Sequence, residues 1–160
     1  MRTIALFGIL SAAAALAGCG NSATEVAPKA KAETGIFISS EDCATRQKLT
    51  IDECGQAIDR AVALHQSRAP SYNSLTACAS VEGPDRCAKG VDGKYQPNVQ
   101  AFLVTFGQPP SAVPLYATSD GSAGFKGLDK KNVGLKDDGN TFSESAEALA
   151  HENARLAKKS

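Results

Sequence analysis

The sequence has no G-x-S-x-G nucleophile turn, no H-E-x-x-H pair and no G-x-x-x-x-G-K-[ST] phosphate loop. Those absences remove the usual signatures of serine hydrolases, zinc peptidases and nucleotide-dependent enzymes. Positive charge is not in surplus either, with 17 Lys and Arg against 17 Asp and Glu. Nothing is left to neutralise a run of phosphates, so nucleic-acid binding has no electrostatic footprint. No apolar stretch reaches the about 20 residues that a membrane-spanning helix needs. The longest runs only from Ile4 to Leu16. No internal repeat is present, and 160 residues is at most a single-domain length.

What is present begins with that short apolar run. Arg2 precedes it and small residues close it, which is the pattern of a secretory signal peptide over residues 1–18. Leu16-Ala17-Gly18-Cys19 has the form of a lipobox: small residues admit the peptidase, and the Cys19 thiol takes the lipid. Acyl chains on Cys19 would contribute about 0.8 kcal/mol per buried CH₂, enough for several chains to anchor stably. Cys19 is therefore the expected lipid anchor. Gly20, where Asp often signals inner-membrane retention, favours the outer membrane facing the periplasm.

Residues 19–34 combine the lipidated cysteine with a stretch that lacks apolar periodicity, and they are expected to form a flexible tether. Its reach would be roughly 20 Å. A folded domain is expected over 35–128, and a loose segment with a C-terminal helix over 129–160.

Inside the domain, Ile36-Phe37-Ile38 reads as an extended lead-in and Ser40 as the cap of a short helix holding Cys43. Thr50-Ile51-Asp52-Glu53 is a capping box. Ile51, Cys54, Ile58, Ala61, Val62 and His65 then recur at helical spacing to about Ser67, before Pro70 ends the run. Ser74 caps a third helix through Cys78 to about Val81. Val99, Phe102, Leu103 and Phe106 predict a further helix, although Phe102, Val104 and Phe106 also alternate as a strand would. A small hairpin is expected from Pro114 to Phe125, turning at Asp120-Gly121. The expected fold class is thus mainly α: a small disulfide-stapled helical domain with a short β-hairpin, a flexible N-terminal tether and a loose C-terminal helix.

With Cys19 assigned to lipid, Cys43, Cys54, Cys78 and Cys87 remain, an even number in an exported small domain. Three pairings are possible. The local one, Cys43–Cys54 with Cys78–Cys87, is preferred because short loops meet easily. Zinc or dithiol redox use would call for a C-x-x-C spacing, which is absent. Other candidates are few. His65 reads as a packed helix histidine and His151 as a solvated one. Glu41, Asp42, Asp52 and Glu53 are explained as helix-start carboxylates. Tyr72, Tyr95 and Tyr116 are read either as packing anchors or as the lining of a ligand groove.

Asp42-Cys43, Cys54, Ala69-Pro70-Ser71-Tyr72, Cys78 and Cys87, followed by Pro114-Leu115-Tyr116 and Asp120-Gly121, together resemble the YgiB-like family of bacterial envelope lipoproteins. The likeness covers about residues 37–128, and the family is defined as a domain of unknown function. It implies an exported lipoprotein with an envelope role and supplies no catalytic residues. Longer relatives carry a Gly-, Gln- or Ser-rich extension that this chain lacks beyond about Phe125. Some are encoded beside an ATP-grasp enzyme resembling glutathionylspermidine synthase. The expected function is a non-enzymatic binding or structural module of the cell envelope, held to the membrane by its lipid, with an envelope protein or cell-wall component as partner. The alternative is a small-ligand accessory to a polyamine or peptide-metabolite pathway. No catalytic residue, cofactor or metal is expected.

Overall fold

Phe102 and Leu103, adjacent in sequence, are packed into two different hydrophobic cores on opposite faces of a sheet. A computed structural model describes residues 32–137 and 139–159. The signal, lipobox and most of the tether, including Cys19, lie outside the described residues.

The main sheet has six strands in the order β7-β6-β5-β4-β1-β8 and curls into half a barrel. Its members are β1 (Thr34–Phe37), β4 (Ala101–Thr105), β5 (Ser111–Ala117), β6 (Gly124–Lys126), β7 (Asn132–Gly134) and β8 (Asn140–Phe142). Among the described residues four helices accompany it: α1 (Ser40–Ala44), α2 (Ile51–Arg68), α3 (Leu75–Glu82) and α4 (Glu144–Ala157). A separate two-stranded sheet joins β2 (Cys87–Lys89) to β3 (Tyr95–Pro97).

This overturns the mainly helical expectation. The fold is mixed, 25% strand and 35% helix over the described residues. The segment predicted as a helix around Val99–Phe106 is β4, antiparallel to β1 and β5, with Phe102 opposite Phe37 and Leu103 opposite Val113. The reason is burial on both faces. Phe102 and Val104 meet Phe37, Cys54, Ala57 and Ala61 on the α1–α2 side. Ala101 and Leu103 meet Ile36, Leu115, Ala146 and Ala150 on the α4 side. A strand covered on both faces carries apolar residues continuously, and its periodicity imitates that of a helix.

The C-terminal helix is not loose. Ala146, Ala150 and Ala154 are buried, and α4 packs on β6, β1 and β8. Alanine is what lets it lie close to the sheet. Ser143 secures its start: its hydroxyl accepts from Ala146 N at 3.1 Å and donates to Asp42 Oδ2 at 2.6 Å, while its own N–H donates to Ile36 O. The hairpin around Asp120-Gly121 exists as β5–β6, pairing Tyr116 with Lys126, but it is built into the six-stranded sheet between β7 and β4. Strand β1 starts at Thr34 and lies between β4 and β8, so it is an interior strand of that sheet.

Proline in an interior strand would lose a ladder bond. Pro114 is tolerated because β6 pairs only with Tyr116 and Ala117, which leaves the earlier half of β5 unpaired on that side. The capping box is present, with Glu53 N donating to Thr50 Oγ1 at 3.2 Å and Thr50 N to Glu53 Oε2 at 2.8 Å. The short first helix is capped by Ser39, one residue before the expected Ser40.

Two disulfides close, Cys43–Cys54 and Cys78–Cys87, with 11 and 9 residues of sequence separation. The first ties α1 to the opening turn of α2, and the second ties α3 to β2. By chain entropy each contributes about 2.5–3 kcal/mol. Their access differs: Cys43, Cys54 and Cys78 are fully buried, whereas Cys87 is partly exposed. Exchange requires the attacking thiolate to reach a sulfur. Under graded reductant, Cys78 and Cys87 should accept an alkylating label well before Cys43 and Cys54. Simultaneous labelling of all four, followed by mass spectrometry, would contradict that order.

Candidate functional site

Pro70 ends α2 at Arg68 and turns the chain so that Tyr72 pairs with β3, its N–H donating to Tyr95 O at 2.8 Å and its carbonyl accepting from Tyr95 N at 2.9 Å. This bridge sets the Tyr72 ring beside α3. Ser74 caps α3, and Gly83, at φ +106°, ends it immediately after Glu82. The Glu82 side chain turns inward and is nearly sealed, with only 5% of the residue exposed. An isolated buried carboxylate is costly, and two donors satisfy this one: Tyr72 Oη to Oε1 at 2.7 Å and Lys126 Nζ to Oε2 at 2.8 Å. Lys126 comes from β6, directly across from Tyr116 on β5.

These groups converge on a cleft of about 180 Å³, lined by Arg68, Pro70, Glu82, Pro97, Tyr116, Lys126, Leu128 and Lys130. The volume falls below the roughly 300–1,000 Å³ of pockets that enclose drug-sized ligands. A nucleotide or flavin would not be enclosed by it. Larger grooves exist, one of about 450 Å³ beside Asp42 and Glu144. There Asp42 is already engaged by Ile38 N and the Ser143 hydroxyl. The cleft at Glu82 brings a buried carboxylate together with further cations and a phenol.

Tyr116 is buried, and its hydroxyl lies 3.0 Å from His65 Nδ1. Burial, and then the negative charge of Glu82, pushes the Tyr116 phenol up to about 12. The Tyr72 phenol also rises to about 12, through burial first and then its bond to Glu82 and that carboxylate's charge. Neither supplies a phenolate near neutrality: Tyr72 donates to Glu82 and Tyr116 stays a neutral hydroxyl beside His65. His65 moves the other way, held below its ordinary 6.5 because burial disfavours the imidazolium. It also borders a neighbouring groove of about 320 Å³ with Lys89, Gln96 and Asn98.

The sign of the His65 effect makes a testable statement. Its folded pKa is depressed, so its contribution to stability is full above 6.5 and is lost as pH falls through the lower folded value. Denaturation midpoints taken from pH 7 downward should therefore fall less steeply in His65→Gln than in the parent. Parallel pH profiles would remove the effect.

Of the three tyrosines singled out in the sequence, Tyr116 lines the cleft. Tyr72 stands behind Glu82, outside the lining, and Tyr95 contributes its backbone bridge to Tyr72. The sequence reading missed Glu82, Lys126, Arg68 and Lys130. No pattern marked them: Glu82 closes a helix, and Lys126 sits in a three-residue strand. Glu53 proves to be a capping group, while Asp42 also bridges α1 to the start of α4. His151 is exposed and lies 3.8 Å from Glu147. Among the described residues, no group of three or more His, Cys, Asp or Glu side chains could hold a metal ion, and no helix is long and apolar enough to cross a membrane.

Residues 31–127 match the family model described as Protein of unknown function (DUF1190). No curated protein and no solved structure matches the chain.

Proposed function

The chain belongs to the family described as Protein of unknown function (DUF1190), and we propose, from its signal and lipobox pattern, an exported, lipid-anchored binding module of the bacterial envelope, of the YgiB-like kind. Cys19 carries the lipid, the outer membrane is the expected destination, and the folded domain faces the periplasm. The domain acts by binding or by structural contact with an envelope protein or cell-wall component, without catalysis of its own.

The observation that supports this reading is the pair of disulfides, Cys43–Cys54 and Cys78–Cys87, formed between local cysteines of a small domain. Such bonds persist in oxidising compartments and are rare where glutathione and thioredoxin keep thiols reduced. They agree with the signal pattern at residues 1–18. The test is intact mass on protein extracted from native membranes, alkylated before and after reduction. Acylation at Cys19, with four further thiols appearing only on reduction, is the expected result. Free labelling of Cys43, Cys54, Cys78 and Cys87 without reduction would sink the proposal.

A second reading, a small-ligand accessory protein, is favoured by the cleft at Glu82, which gathers charged and phenolic groups at a site too small to enclose a large cofactor. A thermal-shift panel of small amines, amino acids and short peptides tests it. A shift that disappears in Tyr116→Ala, in a variant still folded by circular dichroism, is expected.

A further inference from the structure

The cleft at Glu82 has more cationic groups than its own structure uses. Lys126 is consumed by Glu82, with 2.8 Å between Nζ and Oε2. Arg68, at the end of α2, and Lys130, in the loop after β6, line the same cleft, and among the described residues neither side chain has a hydrogen-bond or ion-pair partner. Lys130 is held there by a tight turn, in which its N–H donates to Gly127 O at 3.0 Å and its φ is +64°. A lysine in that conformation is uncommon, because the left-handed region favours glycine.

We propose that this cleft binds the carboxylate of a small molecule or chain end, with Arg68 and Lys130 as its charged partners and Pro70, Pro97 and Leu128 against a small apolar group beside it. The inference rests on the small-ligand reading and names its ligand class. The charge decides against a polyamine. Three cations face one carboxylate, and that carboxylate already has two donors, Tyr72 and Lys126. A ligand cation would meet a carboxylate whose charge is already paired with Lys126, whereas an anion meets a guanidinium and an ammonium that have no ion-pair partner among the described residues. Arg presents a planar fork that matches a carboxylate, and charge-assisted bonds of this type are about twice as strong as neutral ones. The apolar part of the lining and the volume of about 180 Å³ leave room for one small residue next to the charge.

The experiment titrates the folded, disulfide-closed domain with N-acetylalanine, alanine, N-acetylalaninamide, spermidine and inorganic phosphate, followed by NMR shift mapping. Saturable binding of N-acetylalanine, absent for its amide, is expected at Arg68, Tyr116 and Lys130. Arg68→Gln and Lys130→Gln should each weaken it by about tenfold or more, the effect of losing one hydrogen bond to a charged group. Both residues are exposed, so these variants should remain folded. Alanine binding as well as N-acetylalanine assigns the carboxylate to a free amino acid; N-acetylalanine alone assigns it to a chain end. Either supports the site. Equal binding of the amide, tighter binding of phosphate, or full affinity in both Gln variants would overturn it. Spermidine binding with no carboxylate binding would also overturn it while leaving the small-ligand reading intact, whereas no binding by any probe would remove both.

Discussion

Replacing Lys126 by methionine should lower the unfolding free energy by about 3–5 kcal/mol, the cost of leaving a buried charge without its partner. The side chains of Glu82 and Lys126 are 6% and 16% exposed, so water cannot readily replace the ammonium. Tyr72→Phe should cost less, about 1 kcal/mol, because it removes a neutral donor and leaves the ion pair in place. Glu82→Leu combined with Lys126→Met should recover most of the loss, since a buried pair replaced by apolar groups of similar size is often near neutral. Urea unfolding of the three variants reads all of these values. If Lys126→Met cost less than about 1 kcal/mol, the range of exposed ion pairs, Glu82 would have to be hydrated in the folded protein. The rescued double variant would then serve a second purpose. It keeps Arg68 and Lys130 while removing Glu82, and so separates the stability of the cleft from its affinity for anions.

Local chemistry was legible in the sequence wherever a few neighbouring residues decide the outcome. Thr50 and Glu53 form their capping box, Ser74 and Gly83 bound α3, and Pro70 stops the run before it. The two disulfides are local closures too, between residues 11 and 9 apart. What failed was the sheet. Its strands are three to seven residues long, and β1 joins β8, more than a hundred residues later, in parallel. Pairing over such a distance leaves no periodic mark in either segment. Double-sided burial then disguised β4, a five-residue strand of the core. The alanine face of α4 was misjudged for a related reason. Small side chains look weak as a hydrophobic stripe, yet they allow close approach to the sheet, and Ala146 and Ala150 are fully buried.

The cleft was illegible for the same reason as the sheet. Arg68, Glu82, Lys126 and Lys130 lie on four different segments, brought together by the turn at Pro70, the end of α3, and the β5–β6 pairing. Each residue taken singly has an ordinary explanation as a helix end or a solvated charge. Of the polar residues lining the cleft, only Tyr116 stands out in the sequence, and it does so as an aromatic. A site assembled from helix ends and hairpin turns depends on the sheet that sets their spacing, so its geometry should be sensitive to changes that touch none of its side chains.

Gly124→Ala is the sharpest test of that dependence, with an expected loss of about 2–6 kcal/mol. A Cβ at Gly124 would lie 2.4 Å from Val133 O and 3.0 Å from the Gly134 Cα, both backbone atoms of the partner strand. The residue also has φ +153°, a conformation that side chains rarely adopt. Backbone strain of this kind costs on the order of 1–3 kcal/mol, and overpacking a tight contact typically adds about 1–3 kcal/mol. Gly93 provides the control. Its φ is +81°, but nothing lies within 4 Å of its Cβ position, so Gly93→Ala should cost only about 1–2 kcal/mol, the left-handed penalty alone. Equal losses for the two variants, measured by urea unfolding, would mean that β6 and β7 separate freely. A larger loss at Gly124 has a consequence beyond stability. Lys126 is two residues along the same strand, and the turn that carries Lys130 joins β6 to β7. Forcing these strands apart should displace both cations, and N-acetylalanine affinity should fall in whatever fraction of Gly124→Ala remains folded, although no residue lining the cleft has changed.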